Sequence, residues 1–261
     1  MDILSEIVAH KEKEVAEQKE LYPVKLLEKS TYFEGKPVSL KKYIQRPDKS
    51  GVIAEIKRKS PSKGMINEHV SVERTSIGYM QAGASGLSVL TDKKYFGGSS
   101  EDLKTARSFN FCPILRKDFM IDEYQVIEAK SIGADVILLI AAVLSKEEIE
   151  TLGSLARSLG MESLLEVHNE EELENSITDK VDLIGVNNRN LKTFVTDTQT
   201  SKDLVDKIPD DFVKVTESGL HSPEVVNELK TCGYEGFLIG ETFMKSGRPE
   251  RAAKEFISQI R

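Results

Sequence analysis

The sequence of 261 residues contains no tryptophan, two cysteines and four histidines, and each scarcity narrows the classes of protein it can encode. Cys112 and Cys232 lie in apolar surroundings without a paired spacing, which argues against a disulfide framework or a zinc site and favours a reducing compartment. The histidines are scattered without ligand spacing, at His10, His69, His168 and His221. We therefore expect surface or loop roles for the histidines, core roles for the cysteines, and no metal.

Long apolar runs are also missing. The longest, from Val136 to Leu144, is far short of the roughly 20 residues that a membrane helix needs, and the first residues do not have the pattern of a secretion signal. Lysine and arginine number 36 against 43 aspartate and glutamate, and the net charge of -7 disfavours general attraction to nucleic acid or anionic lipid. We expect a cytoplasmic protein, with neither a nucleic-acid nor a membrane partner, that binds anions through local positive groups.

After residue 50 one pattern repeats: a short apolar run, a polar loop, a segment of helical period, and often a glycine before the next run. This alternation is typical of βα units. The eight runs are Val52 to Ile56, Gly86 to Leu90, Pro113 to Arg116, Val136 to Ile140, Ser163 to Val167, Leu183 to Val186, Val213 to Thr216 and Gly236 to Ile239. Eight units favour a closed (β/α)8 TIM barrel, with an open doubly wound sheet as the alternative.

The boundaries of the helices support these units. Glycines that precede apolar runs predict left-handed helix ends, at Gly83, Gly133, Gly160 and Gly233. Helix starts are predicted by the capping-box spacing after Ser145 and Asn169, and by Ser222 followed by Pro223.

Residues 1–50 do not fit the repeat. Ile3, Leu4, Ile7 and Val8, followed by the charged stretch 11–14, predict an amphipathic helix with a charged outer face that packs across a barrel end. We expect one domain over residues 1–261, a barrel with residues 1–50 as an N-terminal helical extension. The polar stretch 60–70 after the first run predicts a mobile loop without regular structure on the active-site side.

Charged or amide side chains close several of the apolar runs. They are Glu55 and Lys57 at the first run, Lys117 at the third, Glu166 at the fifth, and Asn187 with Arg189 at the sixth. A period of two places Glu55 and Lys57 on one face, which we expect to point into the barrel mouth, while Ala54 and Ile56 face the helices. Because burying unpaired charge is costly, several such groups at one barrel end favour a polar ligand over a purely structural role.

The last two units resemble an anion-binding cradle. Ser218 and Gly219 follow the seventh run, and Gly240 and Glu241 follow the eighth, where a short helix would direct its positive end at a phosphate. This is the usual phosphate position in such barrels. After the second run come Tyr95 and Phe96, whose rings could either belong to the core or face a flat substrate ring.

Seven segments in order resemble one family, indole-3-glycerol phosphate synthase. They are Ile53–Ser62, Leu90–Gly98, Leu115–Phe119, Leu165–His168, Ile184–Leu191, Glu217–Gly219 and Ile239–Glu241. The resemblance covers nearly the whole chain, including the N-terminal helix. It implies conversion of 1-(2-carboxyphenylamino)-1-deoxyribulose 5-phosphate, a phosphorylated small molecule, to indole-3-glycerol phosphate, CO2 and water, without metal or organic cofactor.

The resemblance also implies roles for residues. Lys117 would be the acid at the ketone oxygen, with a pKa lowered by nearby cations, and Glu166 the base, flanked by Glu55 and Lys57. Asn187 and Arg189 would orient the ribulose hydroxyls and the developing charge. The phosphate end would be held by Ser60, Ser218, Gly219 and Gly240, and the aryl pocket would be lined by Phe96, Phe119 and Leu191. Glu241 would also bind the substrate, and Ser218 would belong to the catalytic residues as well.

Two other functions remain open at this point. Another phosphate-binding barrel isomerase would share the cradle at Ser218 and Gly240 but would not need Lys117 and Glu166 together with Glu55. A non-catalytic sugar-phosphate sensor would have lost its acid or base, and both candidates are present. We expect the chain to act as a monomer.

Overall fold

Eight parallel strands close into a barrel in the computed structural model, which describes residues 3–260. The barrel strands are β1 (Val52–Ile56), β4 (Gly86–Leu90), β5 (Ile114–Lys117), β6 (Val136–Ile140), β7 (Glu162–Val167), β8 (Leu183–Asn187), β9 (Val213–Glu217) and β10 (Gly236–Ile239). Between β1 and β4 in the chain, β2 (Lys59–Ser60) and β3 (Gly64–Met65) form a separate two-stranded sheet. Neighbouring barrel strands follow one another in chain order, from β1 and β4 to β10, and β10 pairs with β1 to close the barrel. The barrel prediction is confirmed, and the doubly wound alternative is wrong.

Helices separate the strands and surround the barrel. They are α1 (Ile3–Leu21), α2 (Val24–Leu27), α3 (Leu40–Ile44), α4 (Val72–Gln81), α5 (Ser100–Phe109), α6 (Glu123–Ser131), α7 (Lys146–Ser158), α8 (Glu170–Ser176), α9 (Gln199–Leu204), α10 (Pro223–Thr231), α11 (Glu241–Met244) and α12 (Pro249–Ile257), with a 3-10 turn at Val205–Lys207. No helix within residues 3–260 combines the length and apolar character that a membrane span requires.

Most of the predicted helix boundaries are confirmed. Ser145 and Glu148 form a reciprocal capping box at the start of α7, and Asn169 accepts a hydrogen bond from the Glu172 N–H at the start of α8. Ser222 occupies the N-cap position of α10, but its side chain forms no capping hydrogen bond there. The predicted helix-ending glycines all have positive φ, at Gly83, Gly133, Gly160 and Gly233.

Alternation along the strands divides the buried side chains into two layers. Inward-facing residues such as Ile53 and Leu115 fill the barrel interior, while Ala54 and Ile56 belong to the layer between barrel and helices. The predicted faces of β1 are therefore confirmed. Cys112 is buried, Cys232 is partly buried against the outer layer, and neither forms a disulfide.

The N-terminal helix crosses the barrel mouth, as predicted, but its charged face was assigned wrongly. The Lys11 side chain is 1% exposed. Its ammonium lies 3.1 Å from a carboxylate oxygen of Asp92 and 2.9 Å from one of Asp118, which follow β4 and β5. Lys11 thus joins α1 to two strand ends instead of facing solvent.

The segment after β1 also differs from the prediction of a loop without regular structure. Lys59 and Ser60 pair with Gly64 and Met65 in a short antiparallel hairpin. The Arg58 guanidinium forms two hydrogen bonds with the Asp102 carboxylate on α5, at 2.5 and 2.9 Å. These bonds fix the start of the hairpin beside the barrel mouth.

Candidate active site

One cavity opens at the carboxyl ends of the barrel strands, and all fourteen site residues predicted from the sequence line it. They are Glu55, Lys57, Ser60, Phe96, Lys117, Phe119, Glu166, Asn187, Arg189, Leu191, Ser218, Gly219, Gly240 and Glu241. They come from seven of the eight barrel strands and the loops that follow them, because parallel strands present all their carboxyl ends at one rim.

Lys117 lines the cavity from the last position of β5. Its ammonium donates a hydrogen bond of 2.7 Å to Glu166 and lies 3.0 Å from a carboxylate oxygen of Glu217. Only 13% of the Lys117 side chain is exposed, and both glutamates are buried. Three strands, β5, β7 and β9, therefore place one cation between two acidic groups.

These neighbours overturn the predicted electrostatics of Lys117. From the sequence, Lys117 was expected near other cations, which would lower its pKa. Burial does act in that direction, but the facing carboxylates of Glu166, Glu217 and Glu55 outweigh it and raise the pKa of the Lys117 ammonium above its ordinary value. The adjacent Arg116 points to the opposite face, where it pairs with Glu128 at 2.6 Å. Lys117 is therefore held as an ammonium.

Glu217 is a functional candidate that the sequence analysis did not assign to catalysis. Burial and the nearby Glu166 carboxylate raise the pKa of Glu217 to about 8. The pKa of Glu166 moves the opposite way despite burial, well below its ordinary value, because Lys117 and His168 stabilise the carboxylate. Two adjacent carboxyl groups with separated pKa values are typical of an acid and a base within one site.

Glu55 and Lys57 form a second ion pair beside this group. The Lys57 ammonium lies 2.6 Å from one Glu55 oxygen, and the Ser88 hydroxyl donates to the other at 3.3 Å. Gly240 approaches closely, since a Cβ built on it would lie 2.5 Å from a Glu55 oxygen. The predicted convergence of Glu55 and Lys57 on the mouth is confirmed.

His168 lies in the loop between β7 and α8, as expected, but it is not a solvated side chain. Its imidazole is 9% exposed and lies between Glu166, 3.3 Å from Nε2, and Glu172, 3.0 Å from Nδ1. The position of His168 two residues after Glu166 was a signal, because residues of that spacing share a strand face. His221 lines the cavity, whereas the His69 side chain is 92% exposed.

Asn187 and Arg189 meet the cavity from β8 and the loop after it. The Asn187 amide donates a hydrogen bond of 3.0 Å to Glu166, and its oxygen accepts one from the Arg189 N–H. The Arg189 guanidinium donates to the Ser62 hydroxyl at 2.9 Å and lies 3.6 Å from a Glu241 oxygen. Arg189 therefore links the β2–β3 hairpin to the start of α11.

The predicted anion cradle adopts an unusual backbone. Ser218 and Gly219 both have positive φ, of 67° and 79°. For a serine this conformation is strained, and such strain is common at ligand sites. The Asn188 amide holds the turn by donating to the Ser218 carbonyl at 3.0 Å. The predicted short helix after Gly240 is present as α11.

Aromatic and aliphatic side chains form one wall of the cavity. The rings of Phe96 and Phe119 lie 6.0 Å apart at an interplanar angle of 41°, and Leu191 lines the same cavity. Ile3 and Leu4 of α1 add further apolar lining. Of the two rings that could face either the core or a substrate, Phe96 faces the cavity. Tyr95 does not line it, and the Tyr95 hydroxyl donates to Glu6 on α1 at 3.0 Å.

The barrel, the buried acid and base groups at its mouth and the left-handed turn beside them define a class, the phosphate-binding (β/α)8-barrel enzymes. A model of the indole-3-glycerol phosphate synthase family matches residues 4–256. Relatives with that name are 49% identical over 99% of both chains in Bacteroides thetaiotaomicron and 44% identical over 95% of this chain and 96% of the other in Dechloromonas aromatica. The chain belongs to the indole-3-glycerol phosphate synthase family, whose members are carboxy-lyases.

Solved structures with low sequence identity support the fold alone. An N-acetylmannosamine-6-phosphate 2-epimerase from Clostridium perfringens matches with a TM-score of 0.58 at 16% identity, over 81% of this chain and 93% of that one. A structure described as native KDPGal gives the same TM-score at 13% identity, over 83% of this chain and 93% of that one. The family match favours the synthase over the isomerase and sensor alternatives.

Proposed function

We propose that this chain closes the indole ring of 1-(2-carboxyphenylamino)-1-deoxyribulose 5-phosphate with Lys117 as acid and Glu166 as base. The observation that carries these roles is the placement of the Lys117 ammonium between Glu166 and Glu217, whose pKa values are displaced in opposite directions. The left-handed turn at Ser218 and Gly219 offers a place for the phosphate in the same cavity.

In the first step the ring carbon that bears the carboxylate attacks the ketone carbon, and the ketone oxygen takes a proton. Lys117 supplies that proton. A raised pKa does not prevent the transfer, because the developing alkoxide is a stronger base than a lysine amine. Before transfer, the ammonium already stabilises the negative charge that grows on the oxygen.

In the second step the bond to the carboxylate breaks, CO2 leaves, and the electron pair returns to the ring. Dehydration then requires removal of a proton from the carbon next to the nitrogen and protonation of the departing hydroxide. Glu166 is ionised and takes the proton. Glu217, with a pKa of about 8, carries a proton at neutral pH and is placed to assist the hydroxide.

The remaining lining residues bind and orient the substrate. Lys57 and Arg189 balance its anionic charge, and Asn187 orients the ribulose hydroxyls beside Glu166. The residues assigned to the phosphate end are Ser60, Ser218, Gly219 and Gly240, and those assigned to the aryl ring are Phe96, Phe119 and Leu191. Glu241 is assigned to substrate binding without a place at the phosphate, and its carboxylate faces Arg189. Such positioning converts the ring closure into an oriented intramolecular attack.

Indole fluorescence tests this assignment directly, because the chain has no tryptophan to mask the product. Purified protein is incubated with the carboxyphenylamino substrate, and Lys117→Ala is compared with Lys146→Ala, a change on the exposed start of α7. We expect turnover in the wild type and in Lys146→Ala, and a loss of about a thousandfold or more in Lys117→Ala. Wild-type turnover in folded Lys117→Ala would refute the acid role.

We further propose a cytoplasmic monomer that needs no metal or organic cofactor and binds no nucleic acid. Every residue assigned above comes from one chain, and the net charge of -7 disfavours nucleic acid. Light scattering of the active protein should give the mass of one chain. Turnover should survive dialysis against a chelator, and a mass of two chains would contradict the monomer.

A further inference from the structure

The histidine behind the base, His168, is held from both sides by carboxylates. Its Nε2 lies 3.3 Å from the Glu166 oxygen Oε1, and its Nδ1 lies 3.0 Å from the Glu172 oxygen Oε2. The His168 backbone N–H also donates to Glu172, at 2.8 Å. Nδ1 is within hydrogen-bond distance of Glu172, whereas Nε2 faces Glu166 at ion-pair distance and forms no hydrogen bond with any described residue. A carboxylate beside each ring nitrogen stabilises positive charge on the ring, so the geometry favours the imidazolium.

The outer carboxylate is itself fixed. Glu172 lies in the first turn of α8, where its N–H donates to the Asn169 side chain at 2.9 Å. The Asn169 amide returns a hydrogen bond to the other Glu172 oxygen at 2.9 Å. The helix cap therefore orients Glu172, and Glu172 orients the imidazole of His168.

The charges around Glu166 show what His168 contributes. Glu166 faces the Lys117 ammonium on β5, the Glu217 carboxyl on β9 and the Asn187 amide on β8. The pair of Glu55 and Lys57, at the end of β1 and directly after it, lines the same cavity. During ring closure Lys117 gives up its proton, and His168 is then the remaining cation in direct contact with Glu166 among the described residues.

His168 faces a different opening from the substrate cavity. Together with Asn169 and Glu172 it lines a groove whose charged members also include Glu12 of α1 and Lys192 and Asp197 of the loop after β8. His168 is not among the residues that line the substrate cavity. It therefore acts on the substrate only through Glu166.

We propose that His168 is a positioning residue that keeps Glu166 ionised and fixes the direction of its carboxylate throughout the reaction. This inference rests on the proposed role of Glu166 as base. The charged neighbours of His168 raise its pKa to about 10 despite burial, which agrees with an imidazolium at neutral pH. Its role would be like that of the carboxylate in a hydrolase triad, with the charges reversed.

The first test is the pH profile of kcat/KM in His168→Gln, with His69→Gln as the matched control on an exposed position. Glutamine keeps a hydrogen-bond donor but removes the charge. We expect the acid limb to move about one pH unit upward, and kcat to fall about tenfold with KM changed less than threefold. The control should match the wild type. A lower kcat with an unmoved acid limb, or no change at all, would overturn the proposal.

Glu172→Gln provides a milder variant should His168→Gln fold poorly. It leaves the imidazole in place and removes one of the two carboxylates that stabilise the imidazolium, so we expect the titration of His168, followed by NMR of its ring nitrogens, to move to lower pH by about one unit, and an unmoved titration would count against the proposal. Glu166→Gln in the turnover assay separates the two claims. Retained turnover in Glu166→Gln would refute the role of Glu166 as the base. It would not test the contacts that hold His168.

NMR of the imidazole nitrogens gives a readout that does not need turnover. In the free wild-type protein, His168 should stay doubly protonated beyond pH 8, whereas Glu166→Gln should lower its titration by about one pH unit or more. A neutral His168 at pH 7 in the wild type would refute the proposal even if the variant were inactive.

Discussion

The ammonium of Lys11 lies 2.9 Å from the Asp118 carboxylate, although the two residues are 1% and 1% exposed and come from the N-terminal helix and the end of β5. Asp118 directly follows Lys117. The same ammonium lies 3.1 Å from Asp92 after β4. A single buried cation therefore ties the helix that covers the cavity to the strand that carries the proposed acid.

Replacing Lys11 by methionine should destabilise the protein and weaken substrate binding. The change leaves Asp92 and Asp118 buried without their shared cation, a loss of about 3–5 kcal/mol for pairs of this kind. The chain can relieve this cost by releasing α1, whose Ile3 and Leu4 line the cavity. We expect a lower urea midpoint and a KM raised about tenfold or more.

Lys13→Met is the control for this prediction. Lys13 lies in the same helix and is exposed, so removal of its charge should leave the urea midpoint and KM near the wild-type values. Equal behaviour of the Lys11 and Lys13 variants would show that the buried ion pairs do not anchor the helix.

Gly240→Ala should damage the site without straining the backbone. The φ of Gly240 is -119°, which any residue adopts, but the added Cβ would lie 2.5 Å from a Glu55 oxygen. Glu55 must then move away from Lys57. We expect a loss of about tenfold or more in kcat/KM. At Gly247 an added Cβ meets nothing within 4 Å, so Gly247→Ala should keep the wild-type value.

The barrel could be predicted from the sequence because each strand carries its own signal. The eight apolar runs match the barrel strands within about one residue at each end, as at Ile114–Lys117. The apolar runs repeat eight times, glycines mark four of the helix ends, and the common rim of parallel strands then brings the polar ends together. The position of the site follows from that geometry alone.

The charged neighbours of Lys117 and Lys11 could not be predicted, because local sequence patterns do not identify partners that are distant in the chain. Lys117 was expected near cations, yet alternation along β5 places the preceding Arg116 on the opposite face, and the groups that face Lys117 are carboxylates. Lys11 seemed exposed because it begins a charged stretch, although Ile7, Lys11 and Val15 fall on one helical stripe and are all buried. In both cases the period of the strand or helix indicated the direction of the lysine side chain. It did not indicate which carboxylates that side chain would face.

Glu217 should make the stability of the protein fall as the pH rises. An isolated glutamate ionises near pH 4.5, whereas burial and Glu166 raise the pKa of Glu217 to about 8 in the folded chain. Between these values the folded state binds more protons than the unfolded state, so the free energy of unfolding decreases as pH increases, and above pH 8 the decrease is complete.

Glu217→Gln removes this titration while it keeps the shape of the neutral acid. We expect the variant to gain stability relative to the wild type as the pH rises from 5 to 8, by an amount on the order of 1 kcal/mol or more. Urea unfolding of both proteins at a series of pH values measures the difference, and the other titrating groups cancel to first order. Parallel stability curves would show that Glu217 ionises near its ordinary pKa, in which case it could not carry the proton assigned to it at neutral pH.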